Sequence, residues 1–379
     1  MTKKKNSSPH PSLRKHLAVA LQLVLTLSVL ACILAFLHTQ SHQPFIPLDV
    51  PEEELQPFAG TPKAAFLFLA REGLPLDLLW HPFFAGADDA GGPSFSVYVH
   101  SRPGFVLDPT TTRSSFFYGR QIENSVPVGW GEASMIEAER LLLRAALEDP
   151  ANQRFVLLSD SCVPLYNFSY TYNYLMSSSK SFVDSFHDKK ETRYNPKMSP
   201  TISEGRWRKG SQWITLIRKH AVVIVADGVI FPVFKKHCQR RPELKLEGKR
   251  ITKPIFQKEH NCIPDEHYVQ TLLSMSKLDH ELERRTLTFT SWNQSKNENG
   301  KESWHPITFE YSNASPQQIK AIKDINHVDY ETDFRTEWCQ CNSTFVPCFL
   351  FARKFSPGAA MRILTDGSVG PFNAASLLS

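Results

Sequence analysis

The residues from Leu17 to Leu37 read LAVALQLVLTLSVLACILAFL, with no charged side chain and one amide, Gln22. About 20 consecutive apolar residues cross the hydrocarbon core of a bilayer. The run therefore predicts a membrane-spanning helix that divides the chain. Lys3, Lys4, Lys5, Arg14 and Lys15 precede it. No Lys or Arg follows before Lys63, and Asp49, Glu52, Glu53 and Glu54 lie between. Lys and Arg are retained on the cytosolic side of a membrane, which predicts a cytosolic tail (1–16), a signal anchor (17–37) and a body outside the cytosol. A cleaved signal peptide is the rival. Its apolar region is usually about 7–15 residues long and ends at a small-x-small site; this run is longer and has no clean site of that kind.

The body must be globular. Over 379 residues the chain is 41% hydrophobic and 11% aromatic, too apolar for a disordered chain and enough for a large core. The net charge of +5 sits largely in the first 16 residues, so charge gives no reason to expect a nucleic-acid partner. Six cysteines follow the anchor: Cys162, Cys238, Cys262, Cys339, Cys341 and Cys348. An even number suits an oxidising compartment, and their pairing stays open. The C-x-C at Cys339 and Cys341, without a nearby His pair, reads as disulfide rather than zinc chemistry. N-x-S/T sequons at Asn167, Asn293, Asn313 and Asn342 are glycosylation candidates.

Residues 38–62 carry Pro44, Pro47, Pro51, Pro57 and Pro62 and read as an extended stem. Residues 63–379 form the body. Strands are predicted at Ala64–Ala70, Phe95–His100, Phe155–Leu158, Ser181–Phe186, Trp213–Ile217, Thr286–Thr290 and Cys348–Phe351. Helices are predicted around Leu76–Phe84, Glu132–Leu147 and Lys219–Ala226, with another starting at Pro264 or Asp265. This alternation argues for an α/β fold with helices on both faces of the sheet. Ligands in such folds sit beyond the carboxyl ends of the strands, which directs attention to Arg71-Glu72, His100-Ser101-Arg102, Ser159-Asp160-Ser161-Cys162 and Arg353-Lys354.

P-loop, dinucleotide, zincin and nucleophile-elbow motifs are absent. No D-x-D follows a strand, although a metal-dependent sugar transferase would want carboxylates beside the diphosphate. Asp329-Tyr330-Glu331 is the nearest pattern and reads as a solvated loop. Arg353-Lys354 could stabilise a departing diphosphate, or could be surface charge ending a strand. Pro264-Asp265-Glu266-His267 is an ordinary helix start whose carboxylate could also serve as a general base. Trp207 and Trp213 read as core anchors or sugar-site aromatics. Trp130, between Gly129 and Gly131, reads as a turn or a stacking platform.

Ten ordered blocks resemble one family. They are Lys63–Leu69 (KAAFLFL), Tyr98–Phe105 (YVHSRPGF), Phe117–Ile122 (FYGRQI), Trp130–Arg140 (WGEASMIEAER) and Arg154–Phe168 (RFVLLSDSCVPLYNF). Arg193–Pro200 (RYNPKMSP), Trp207–Trp213 (WRKGSQW), Pro232–Cys238 (PVFKKHC), Pro264–Tyr268 (PDEHY) and Cys348–Pro357 (CFLFARKFSP) follow. The body resembles the core-2/I-branching β-1,6-N-acetylglucosaminyltransferases, glycosyltransferase family 14, in the plant-type branch.

The resemblance implies a type II Golgi membrane protein with a GT-A-like mixed sheet flanked by helices. It implies inverting transfer from a UDP-sugar to a glycan or glycoprotein, with no metal or other cofactor. The family's base maps onto Glu266 and its diphosphate-binding Lys onto Lys354, with Arg335 a candidate second basic contact. The aromatic that stacks on uracil maps onto Trp130. The block from Gly210 to Trp213, with Ser211 and Trp213, matches the acceptor side. Arg102 and Cys162 stand where animal relatives carry Asp, so the donor does not carry over. N-acetylglucosamine is nominal, and glucuronic acid or xylose are alternatives. A catalytically silent glycan-binding or scaffolding member is the rival class. A homo-oligomer is compatible with the sequence.

Overall fold

The computed structural model describes residues 11–41, 58–87, 94–187, 193–240, 261–292, 306–330, 334–341 and 344–367. The chain divides into two units, Met1–Ile46 and Pro47–Ser379.

The first unit holds one helix, α1 (Pro11–Ser41). Its side chains are described at His16 and residues 19–35, and the large apolar ones are exposed, Leu21 at 64% and Val24 at 65%. Among the described residues no helix is long and apolar enough to cross a membrane. The side chains of Leu17, Ala18, Phe36 and Leu37, at the ends of the expected span, lie outside them, as do residues 42–57 of the expected stem.

The second unit opens with β1 (Lys63–Leu69), α2 (Asp77–Ala85), β2 (Phe95–His100), α3 (Ala133–Leu147) and β3 (Asn152–Ser159). Then come β4 (Val163–Pro164), α4 (Phe168–Ser177), β5 (Ser181–Phe182), β6 (Thr215–Ile217), α5 (Arg218–Ala226), α6 (Ile230–His237) and α7 (Tyr268–Met275). The C-terminal part holds β7 (Leu282–Glu283), β8 (Thr288–Thr290), α8 (Pro316–Lys323), β9 (His327–Tyr330) and β10 (Arg335–Trp338). It ends with β11 (Gln340–Cys341), β12 (Thr344–Phe345), β13 (Phe351–Arg353) and α9 (Pro357–Thr365).

Six strands form one mixed sheet in the order β2-β1-β3-β6-β5-β7. β1 runs parallel to β2 and β3, with Phe66 opposite Val97 and Val156. β6 reverses against β3 and β5. A smaller sheet, β4-β13-β8, carries the last strand.

Side chains alternate across a strand, and β1 shows what that does here. Ala64, Phe66 and Phe68 point to one face and pack with Trp80, Phe83 and Phe84 of α2 and with Phe351. The ring contacts are mainly edge-to-face, as between Phe66 and Phe84 at 5.3 Å and 79°. Leu67 points the other way and shares the opposite layer with Phe155 and Leu157 of β3, Ile136 and Leu143 of α3, and Ile224 of α5. Burying one such side chain contributes about 1.5–3 kcal/mol. Helices thus cover both faces, as the alternation predicts.

Several local expectations change. Of the expected strand Ser181–Phe186, only Ser181–Phe182 joins the sheet; Phe186 makes an isolated bridge to Lys209. α4 begins where the Asn167 side chain accepts from the Tyr170 N–H, at 3.0 Å, an N-cap that strand-like aromatic alternation conceals. The expected solvated loop at Asp329-Tyr330 is strand β9, paired antiparallel with β10. Tyr330 packs inward under the Arg335 guanidinium, 4.0 Å from its ring, while Asp329 stays exposed; Glu331 lies outside the described residues.

Among the described residues two disulfides form, Cys238–Cys262 and Cys339–Cys348. Cys162 is a buried free thiol. Asn167 and Asn313 are exposed, whereas Asn293 and Asn342 lie outside the described residues.

Candidate active site

Glu266 closes the turn Pro264–Glu266, just before α7. Pro264 at the first helical position fixes the entry. The Glu266 carboxylate is partly exposed and forms an ion pair with Arg193 at 2.6 Å. Its backbone carbonyl accepts from the Gly210 N–H at 2.9 Å, which ties the Glu266 turn to the block Gly210–Trp213. Gly210 has to be glycine, because a Cβ there would overlap the Asp184 carbonyl oxygen. Gln270 of α7 donates to the Ser211 carbonyl at 2.8 Å.

Beneath Glu266 the polar groups are buried. Glu139 on α3 is 4% exposed and accepts from the Gln212 amide at 2.8 Å. Asp265 is 8% exposed, and its Oδ1 has no hydrogen-bond partner. Burial, helped by the neighbouring Glu266 charge, pushes the Asp265 carboxyl up to about 7. Burial and the Asp265 charge raise Glu139 well above the carboxylate range. Two buried carboxyls that repel each other do not both ionise readily. His267 is fully buried and stacks on Trp207, with ring centroids 4.4 Å apart. Its Nδ1 meets the Arg208 carbonyl at 2.8 Å, and burial drives its pKa down. Across α3, Arg140 donates to the Tyr268 hydroxyl at 2.6 Å, and that hydroxyl donates to Asp227 at 2.8 Å. The start of α7 is thereby fixed against α3.

A second cluster lies where the strands end. Arg71 follows β1, Asp160 follows β3, and Arg353 and Lys354 end and follow β13. Burial lowers the Lys354 ammonium, the Arg353 and Arg71 charges lower it further, and Asp160 opposes them. Arg353 is likewise held down by burial, with the neighbouring Cys162, Asp160 and Asp265 acting in the opposite direction. Its guanidinium lies 4.4 Å over the Trp213 ring. Trp213, 5% exposed, is therefore a buried prop. It joins the Glu266 turn, through Ser211 (whose Oγ accepts from the Trp213 N–H at 3.2 Å) and Gly210, to the strand-end cations.

The sequence-predicted residues thus separate into groups. Glu266, Ser211 and Trp213 share one continuous structure, and Arg353 links it to Lys354. Arg335 belongs to a different nest. It donates to Glu337 and, at 3.3 Å, to the Arg284 carbonyl, and its charge acts on Asp184 and Tyr330. Trp130 stands before α3 at 56% exposure, with the Arg240 guanidinium 3.8 Å over its ring. Arg102 pairs with Glu72 at 3.0 Å. Sequence reasoning assigned no role to Arg193 or Glu139, and it named Gln212 only within the acceptor-side block and Asp265 only within the helix start at Pro264. Arg71 and Asp160 carried a signal, since each comes within two residues of a strand end.

A protein-family model, Core-2/I-Branching enzyme, matches residues 64–323. The chain belongs to that family. As a Core-2/I-branching enzyme it is a glycosyltransferase, and its family implies a nucleotide-sugar donor and a glycan acceptor. It is 55% identical over 333 residues to a protein named glycosyltransferase BC10 from Oryza sativa subsp. japonica, across 87% of this chain and 82% of the rice protein. Glu266, Trp130 and the block Gly210–Trp213 of this Core-2/I-branching enzyme fall inside the family match. Arg335, Arg353 and Lys354 fall beyond it.

Proposed function

We propose that the protein is an inverting transferase that moves a sugar, N-acetylglucosamine the nominal choice, from a UDP-sugar to a glycan or glycoprotein. One observation carries this reading: Trp213 and Arg353 join the turn of a partly exposed carboxylate, Glu266, to a cluster of three cations at the strand ends. The acceptor hydroxyl oxygen attacks the anomeric carbon as its proton passes to Glu266. The bond from that carbon to the diphosphate breaks, and UDP leaves with the electron pair. Lys354, with Arg71 and Arg353, then holds the charge that develops on the diphosphate. Fixed cations aimed at developing charge stabilise a transition state, and in this reading they take the place of a metal. Arg193 holds Glu266 in place, and Trp130 offers a face to the uracil.

The same reading places the body in the Golgi lumen, behind a cytosolic tail, a type II anchor at residues 17–37 and a stem at 38–62. A helix apolar on all sides belongs in a protein core or a membrane, and the exposed apolar side chains along α1 support this. Two disulfides and two exposed sequon asparagines suit such a lumen.

The test is UDP release by the full chain, with EDTA present, from UDP-N-acetylglucosamine, UDP-glucuronic acid and UDP-xylose, each with a panel of glycan acceptors. Release from one donor names the sugar. Glu266→Gln should lower turnover by about 10²–10⁴-fold while UDP still binds. Release that EDTA abolishes would sink the metal-free reading, and full turnover by Glu266→Gln would remove the base.

A further inference from the structure

We propose that Arg240 is a positioning residue of the donor site: it backs one face of the Trp130 indole and holds the other face open for the uracil base. This rests on the reading of Trp130 as the uracil-stacking residue.

The guanidinium of Arg240 lies 3.8 Å from the Trp130 ring centroid. It is held there by its own backbone, because the Arg240 N–H donates to the Gly131 carbonyl at 2.9 Å. Gly131 makes the approach possible in two ways. Its φ of +74° is a left-handed conformation that glycine adopts freely. In addition, a Cβ at this position would stand 2.6 Å from the Arg240 Cβ. Two residues earlier, Cys238 is bonded to Cys262, and the Cys262 N–H donates to the Gln239 carbonyl at 3.2 Å. The segment that carries Arg240 is therefore fastened on both sides of Gln239.

An exposed tryptophan between two glycines would otherwise sample several rotamers, and a ligand would have to select one. A cation over one face fixes the ring. Trp130 remains 56% exposed beneath it, so ring surface is left for a base. The pair forms a stacking platform before any donor arrives, and such preorganisation reduces the ordering that binding requires.

The experiment titrates the full chain in detergent with UMP, which carries the base without a diphosphate, and with inorganic pyrophosphate as a probe of the cation cluster. Wild type, W130A, R240A and the double variant are compared. W130A should weaken UMP about 5- to 100-fold, the range of base–aromatic stacking. R240A should weaken UMP about 2- to 5-fold, the range of an exposed cation–π contact. It should add nothing in the W130A background and leave pyrophosphate binding unchanged. Tighter UMP binding by R240A would mean that Arg240 occupies the face the base needs, and would overturn the proposal. So would an equal loss in the W130A background. Unchanged UMP binding by W130A would instead remove the Trp130 assignment itself, and the proposal with it.

Discussion

Around Glu266 the supporting polar groups are packed dry, whereas around Lys354 they stand at strand ends within reach of water. Glu139, Asp265 and His267 are buried at 4%, 8% and 0% exposure, and Glu139 and His267 are each held by a 2.8 Å contact. Lys354 and Arg353 are only partly covered, and their neighbours act on them mainly through charge. In the proposed reaction the base must keep one geometry relative to an attacking oxygen, and buried hydrogen bonds enforce that. A diphosphate is diffuse and mobile, and cations that retain some solvent can follow it. The same fold supplies both, using α3 and α7 for the rigid part and the ends of β1, β3 and β13 for the adaptable one.

The largest expected difference between the regions appears when a charge is deleted from the wet one. Lys354→Ala should remove a charge-assisted bond to the diphosphate, about 1.5–3 kcal/mol, roughly a tenfold to hundredfold loss of UDP affinity by calorimetry. Raising salt should weaken UDP binding to the wild type as well, because partly exposed charges are screened. A UDP affinity indifferent to both changes would break the comparison.

In the dry region the expected loss falls on stability. Glu139→Ala leaves the Gln212 amide without its acceptor and should lower unfolding free energy by about 1–3 kcal/mol. Glu139→Gln keeps an acceptor oxygen toward Gln212 and should lose less. Denaturant unfolding at two salt concentrations sharpens the contrast, since this loss should not depend on salt. Equal losses from both variants would show that the hydrogen bond to Gln212 does not matter.

A further effect is read in the pH profile. Asp265 is raised to about 7 in the folded chain, against about 3.9 in an unfolded one. Between those values the folded state holds a proton that the unfolded state has released. Stability therefore falls as pH rises from about 4 toward 7, and this contribution levels off above that. Glu139 and Asp184 are raised as well and act in the same direction. Asp265→Asn should make melting temperature less steep in pH across this window. An unchanged slope would take Asp265 out of the buried carboxyl pair.

Much of the scaffold was legible in the residues because it follows from local periodicity. The runs at Ala64–Ala70 and Phe95–His100, and the amphipathic helix from Glu132 to Leu147, match β1, β2 and α3 within about a residue. The turn that carries Glu266 was legible too, since Pro264 followed by two acids is a local signal. What escaped was either short-paired or partner-dependent. β9 carries Asp329 and Arg335 follows on β10, and their polar pattern gives no strand period strong enough to see. They form a hairpin because Tyr330 packs under Arg335 and bonds Asp184, far away in sequence.

By itself the sequence determined the apolar run at 17–37, the α/β alternation, and the candidates Glu266, Lys354 and Trp130, since each is a matter of composition or short-range order along the chain. The tertiary structure alone decided which of them meet. Trp213 became a buried prop because Arg353 covers its ring. Arg335 went to the Asp184 nest, while Arg71 and Asp160 joined Lys354 at the strand ends. Glu139 came to lie beside Asp265 although 126 positions separate their numbers. Such meetings depend on sheet order and helix packing, which residue spacing along one chain does not encode.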